Sequence, residues 1–238
     1  MADAARQTMQ SLTEGVYLSL RRDLLSCKIK PGEKLKINEI ALRLGVNASG
    51  IREALSRLTS EGLVAMEVQR GFRAAPVSIT DLRDLTKTRI QIETLCFETA
   101  LAHGDVDWEA HIVSAFHKLS HLPEFERING QDCVNDVWMK AHGNFHQALV
   151  SACDSAWLMK MRSSLYVQSE RYRQLSVPFR LEAERAPYIK AQEDEHRILM
   201  EAALKRDLAT ITDILDAHFG RTAQFVEALA SDIAFLSE

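Results

Sequence analysis

Charge interrupts every apolar stretch of this 238-residue chain, so no segment reads as a membrane span or a signal peptide. A soluble, cytoplasmic protein without a membrane partner is the expectation. The 4 cysteines, Cys27, Cys96, Cys133 and Cys153, lie far apart and form no CxxC pair. That spacing suggests neither a zinc ribbon nor a disulfide framework and suits small buried hydrophobes. There is no internal repeat, and beyond Ser78 no strand-like alternation. With 46% hydrophobic residues, the length suits one large domain or two modest ones, each with a core of its own.

What is present begins between Ile37 and Leu63, INEIALRLGVNASGIREALSRLTSEGL, which has the spacing of a helix-turn-helix. Ile40, Ala41 and Leu44 recur at helical intervals, Gly45 supplies a left-handed turn residue, and Val46 fills the joint. Asn47 and Ser49 offer N-cap oxygens to a second helix whose inward face is Ile51, Ala54, Leu55 and Leu58. Ser49, Gly50, Arg52, Glu53, Ser56 and Arg57 are then expected outward, where a major groove would meet them. Leu63–Glu67 and Phe72–Ala75 read as two short strands around Gln69, Arg70 and Gly71, a wing with a basic tip to which Arg73 adds charge. Upstream, Val16, Tyr17, Leu20, Leu24 and Leu25 give a third helix, closed by the turn at Pro31 and Gly32. Residues 1–77 hold 12 Lys and Arg against 8 Asp and Glu, a net +4, which leaves 17 against 25, or −8, for residues 78–238. Only the N-terminal part suits a phosphate backbone.

From Ser78 onward the pattern is helical. Thr80 is expected to cap a helix running to about His103, and Asp107 to open another to about His121. After a loop from Pro123 to Gly130, further helices cover about 132–152, 154–175, 187–205 and 207–235. The expected fold is therefore mainly α: a winged helix-turn-helix of three helices and a β-hairpin wing over 1–77, then an all-α antiparallel bundle of about six helices over 78–238 that can hold a central pocket.

His142 and His146 are one helical turn apart and share a face with Phe145 and Leu149 nearby. His196 lies beside Ile198, Leu199, Ala202 and Ala203, and His218 follows Ile211, Ile214 and Leu215 at matching spacing. Four imidazoles from three helices could hold a late transition metal, zinc or nickel above all; each taken alone is equally a satisfied core or surface histidine. His103, His111, His117 and His121 read as solvent-facing. Arg89 interrupts the apolar stripe Leu82, Leu85, Ile92 and Cys96 and needs a counter-charge, either a carboxylate ligand held bidentately or Glu93 one turn on. Arg171, Tyr172 and Arg173 form a second cationic region, a candidate effector contact or a solvated basic face.

Both halves resemble one family. LGVNASGIREALSRLTSEGLV and QRGFRAAPVS are similar to the winged helix of GntR-type bacterial transcription factors. TRIQIE, HGNFHQAL, EHRILMEAALKRD and LDAHF resemble the ligand-binding FCD domain of their FadR branch. The resemblance implies a homodimeric repressor or activator that binds a double-stranded DNA operator and responds to a small carboxylate, often bound beside a metal. It places His146, His196 and His218 on the three metal-binding histidines of the family, and His142 where an Asp is usual, a nitrogen-rich set less hospitable to manganese. Arg52 and Glu53 match the family's REAL motif, whereas Ala48 stands where Arg is usual and Gly50 where Pro is common. GDVDWEA, LVSACDSAWL and QSERYRQL resemble the carbon-starvation-induced subgroup, which implies a short dicarboxylate such as glutarate. Two other functions compete: a helical interaction protein with a structural metal, and a metal-dependent hydrolase. Against the hydrolase, Gly143 follows His142 where an HExxH enzyme needs its general-base Glu.

Overall fold

The computed structural model describes residues 2–128, 131–176, 182–229 and 236–237. They pack as two units. One comprises the residues as far as Leu82 with Val167–Leu175 and the short strand Leu236–Ser237; the other is Arg83–Tyr166 with the described residues of Ser176–Leu229.

In the first unit, α1 (Ala2–Leu25) is followed by the strand β1 (Lys34–Leu35), α2 (Ile37–Leu44), α3 (Ala48–Ser60), and the strands β2 (Val64–Glu67), β3 (Gly71–Ala74) and β4 (Val77–Ser78). Val16, Leu20 and Leu24 of α1 meet Ile51, Ala54, Leu55 and Leu58 of α3 in a core closed by Leu63, Val64 and Ala74. This is the apolar stripe read from the sequence, now buried against a partner helix. Gly45 ends α2 at φ 64, a backbone that costs glycine nothing, and its N–H bonds to Ala41. The cap of α3 is Asn47, whose side chain accepts from the Gly50 N–H at 2.9 Å; Ser49 lies one residue inside the helix, exposed. Gly50, expected outward, is buried instead, because a side chain there would press on Val46 at 3.0 Å and Thr13 at 3.4 Å. The wing is a three-stranded antiparallel sheet in the order β1-β3-β2, with Lys34 opposite Arg73 and Glu67 opposite Gly71. Its third strand, two residues long, is too short to show periodicity in a sequence.

The second unit holds most of α4 (Ile79–His103), then α5 (Val106–Ser120), β5 (Phe125–Ile128), β6 (Gln131–Val134), α6 (Asp136–Leu149), the first half of α7 (Ala156–Ser176), whose residues Val167–Leu175 belong to the first unit, and then α8 (Glu182–Leu204) and α9 (Leu208–Ala228). Phe97, Ile112, Phe145, Leu149, Leu199 and Ile211 are among the residues of its core. The helices are the six expected, but the caps differ. Ser78 Oγ, not Thr80, accepts from the third amide on, that of Asp81; Asp105, not Asp107, accepts from Trp108, which leaves the Asp107 charge in the first turn where the helix dipole favours it. The stretch expected as a loop holds the antiparallel hairpin of β5 and β6, with Phe125 opposite Val134. Asn135 closes it by donating its N–H to the Glu124 carbonyl, and its side chain caps α6. The second unit is therefore not all-α among the described residues.

Leu55 is fully buried between α1 and α3. Leu55→Ala should cost the first unit about 2–5 kcal/mol, read as a shift of its urea midpoint; a midpoint within error of the parent's would show that α1 and α3 do not pack as described.

Candidate functional site

The outward face of α3 carries Ser49, Arg52, Glu53, Ser56 and Arg57, all exposed. Arg57 is not free to roam: it donates to Glu14 at 2.6 Å and its guanidinium lies 3.8 Å over the Tyr17 ring. Arg52 and Glu53 stand one turn nearer the N-terminus, and Arg70 and Gly71 lie at the exposed wing tip, where Gln69 (φ 61) and Gly71 (φ 89) turn the chain. Arg73 braces the wing, bonding Glu67 at 3.0 Å and the Gly32 carbonyl at 2.9 Å. Arg171, Tyr172 and Arg173 belong to this same unit. Arg171 donates to the Ala75 carbonyl, Tyr172 to Asp81 at 2.5 Å, and Arg173 to Glu170 at 2.6 Å. All three are buried, so the solvated basic face expected of them is absent.

In the second unit, α6 brings His142 and His146, α8 brings His196 and α9 brings His218 to one point. The four are between 2% and 9% exposed, and each offers a ligand atom within 4.8 Å of all the others. Nε2 of His142 and Nε2 of His146 are 3.2 Å apart, close to the edge of about 3.3 Å that follows from tetrahedral metal–nitrogen bonds of about 2.0–2.1 Å. Trp138 stacks on His142, with 4.7 Å between ring centroids. His196 Nε2 is buried without a hydrogen-bond partner among the described residues, an unsatisfied polar atom that a bound ion would engage. Burial first, then the other three imidazoles and Arg89, hold His146 well below the ordinary histidine value. Burial and His218 do the same to His196. Both rings are therefore neutral near pH 7, the form that ligates a metal. A donor set of four buried imidazoles fits zinc or nickel. His103, His111, His117 and His121 are exposed, as expected.

Arg89 is buried, its Nε 3.6 Å from Glu93 and its guanidinium 3.9 Å over the Phe219 ring, beside His218 in sequence. Glu93, one of the two counter-charges that the sequence offered Arg89, is thus near it, though beyond hydrogen-bond length. Glu93 is shared with Arg162, which sequence reading passed over: it donates to Glu93 at 2.6 Å, to Gln147 at 2.9 Å and to the His146 carbonyl at 2.7 Å. Nothing in MKMRSSL marks that arginine as buried. Glu195 was also missed. Burial alone would raise its carboxyl, but the bonds from His218 Nδ1, at 2.9 Å, and from Arg221 bring it below the ordinary value. Gly143 has a packing role: a Cβ there would lie 3.0 Å from the Tyr166 hydroxyl. Beside His196 opens a cavity of about 240 Å³ lined by residues that include Phe116, Leu119, Trp138, Glu124 and Gln192.

Residues 12–73 match the gntR family of bacterial regulatory proteins, and residues 84–221 match the FCD domain. An uncharacterised HTH-type transcriptional regulator, BphR, of Paraburkholderia xenovorans is 37% identical over 210 residues, 88% of this chain and 83% of that protein. The HTH-type transcriptional repressor GlaR of Escherichia coli is 31% identical over 202 residues, 85% and 90% of the two chains. The solved structure of McbR/YncC from E. coli is similar in fold, with a TM-score of 0.71 at 20% identity, covering 91% of this chain and 97% of the other.

On DNA selected from a random pool, Arg52→Ala should weaken binding by about 1–3 kcal/mol, the range for one good base or phosphate contact. Arg70→Ala should instead lower the slope of log affinity against log salt by about one. An anisotropy titration that finds Arg52→Ala equal to the parent would remove α3 from the reading surface.

Proposed function

The chain belongs to the gntR family of bacterial regulatory proteins, with an FCD domain after its winged helix, and from that premise we propose that it is a homodimeric repressor whose operator affinity is set by a small carboxylate bound at a metal in the FCD domain. The family is one of DNA-binding transcriptional regulators, not of enzymes, which disposes of the hydrolase. Repression is carried over from GlaR, the relative described as a repressor. Dimerisation follows from symmetry: one winged helix reads a half-site, and a two-fold operator calls for a two-fold protein.

The observation that carries the regulatory part is the convergence of His142, His146, His196 and His218. A bound zinc or nickel ion would supply positive charge and a coordination site for the effector's carboxylate; with four imidazoles engaged, that requires five or six positions rather than four. Arg89 presents a guanidinium whose field reaches His146, and a guanidinium can grip a second carboxylate bidentately. The cavity wall at Glu124 has the wrong sign for an anion, so the effector's charged ends belong toward the histidines and Arg89. A short dicarboxylate such as glutarate fits that division, one end to the ion and one to Arg89. The effector acts by binding one dimer arrangement more tightly than the other, because only differential affinity moves the DNA-binding equilibrium.

His146→Ala and His196→Ala should lose both bound metal, by elemental analysis, and the effector's influence on operator binding; Arg89→Ala should keep the metal and lose the influence. Calorimetry in which the histidine variants bind glutarate as tightly as the parent would exclude the metal as the effector's anchor. Sedimentation at micromolar concentration should give a dimer, and a chain that remains monomeric on its operator would contradict the two-fold reading.

A further inference from the structure

We propose that Glu195 is a positioning residue of the histidine centre: its carboxylate fixes His218 as the Nδ1–H tautomer and so turns the bare Nε2 toward the other three imidazoles. A neutral imidazole carries one N–H, and an ionised carboxylate can only accept. The 2.9 Å contact between His218 Nδ1 and Glu195 Oε2 therefore places the proton on Nδ1. Nε2 is then the atom left to serve as a ligand. Without the carboxylate both tautomers are open to the ring, and only one of them presents a lone pair to the cluster.

Glu195 is itself held. Its other oxygen accepts from Arg221 on α9, so both oxygens of a nearly buried carboxylate are engaged, with 8% of the side chain exposed. Because consecutive helical residues point about 100° apart, the dipeptide Glu195-His196 on α8 does two jobs: His196 enters the cluster, and Glu195 reaches across to α9 and orients the ligand there. Partners of this kind outside the coordination shell are worth about 10–100-fold in metal affinity. In the sequence, Glu195 looks like one more charge in the run EDEHR; only the contact with His218, 23 positions away, separates it from the rest.

The consequence for metal affinity rests on the proposed metal site, whereas the tautomer does not, and the test uses that difference. In metal-free protein labelled with ¹⁵N-histidine at pH 8, long-range ¹H–¹⁵N spectra should show His218 protonated on Nδ1 alone, with the signal assigned by its loss in His218→Gln. Zinc affinity, from competition with a chromophoric chelator, should fall about 10–100-fold in Glu195→Ala. Glu195→Gln, whose amide oxygen can accept the same bond, should keep the tautomer and lose less. Arg221→Ala, at a half-exposed side chain, should also lose less. An Nε2–H or doubly protonated His218 in the parent would overturn the proposal, and so would a Glu195→Ala protein that holds zinc like the parent. Should Glu195→Ala not fold, a Glu195→Gln protein with the His218 tautomer scrambled would overturn it equally. A parent that binds no zinc sinks the metal site proposed above, while the tautomer spectrum still decides the role of Glu195.

Discussion

Four imidazoles meet where almost no water reaches them, and satisfying their nitrogens is the constraint under which the FCD domain packs. Each ring has one donor and one acceptor when neutral. Among themselves they can make few of the bonds they need: His142 and His146 come within 3.2 Å, and His196 Nε2 has no bond among the described residues. An apolar core of the same shape would be cheaper without an ion, since buried polar groups left unmade cost about 1–3 kcal/mol each. The arrangement makes physical sense as a preorganised donor set whose cost is offset when a cation binds. Around it, Trp138 stacks on His142, Arg162 ties the His146 carbonyl to Glu93, and Glu195 with Arg221 pins His218. These contacts join α4, α6, α7, α8 and α9 through the same few atoms.

The winged helix follows a different logic. Its core is built on apolar residues, from Leu20 through Leu55 to Leu63, and the charged residues of α3 and the wing tip lie at the surface. Within that surface the arginines divide by task. Arg57 and Arg73 are committed to Glu14, Tyr17, Glu67 and the Gly32 carbonyl, so they stiffen the reading face, while Arg52 and Arg70 stand exposed on helix and wing tip. The net +4 of residues 1–77 against −8 for the remainder favours this end of the chain for a phosphate backbone.

Periodicity made the helices legible because each buries a stripe against a neighbour, and Gly45 marked the turn because an αL position favours glycine. The pair His142 and His146 was legible for the same reason, one turn apart on a half-apolar helix. Spacing offered their meeting with His196 and His218 only as one of two readings, since nothing local says which faces of α8 and α9 turn toward α6; the family resemblance favoured it for His146, His196 and His218. What stayed hidden depends on contacts distant in sequence. Glu195 and Arg162 look like surface charges until His218 and Glu93 are placed beside them. The hairpin from Phe125 to Val134 is made of strands too short to alternate visibly. Gly50 reads as outward by helical phase, yet its missing side chain is what lets Val46 and Thr13 close over it. Arg171 to Arg173 resembled a basic surface because their partners, Ala75, Asp81 and Glu170, include two that lie about ninety residues away.

The central claim is that the four histidines hold an ion to which the effector binds. X-ray absorption at the metal edge of the purified protein tests it directly. The account predicts a first shell of imidazole nitrogens at about 2.0–2.1 Å, all four when no effector is present, and a rise in coordination number, with added oxygen, when glutarate is supplied. A protein without stoichiometric metal, or a shell with fewer than three imidazoles, would contradict the site. A shell unchanged by an effector that demonstrably alters operator binding would contradict the anchor.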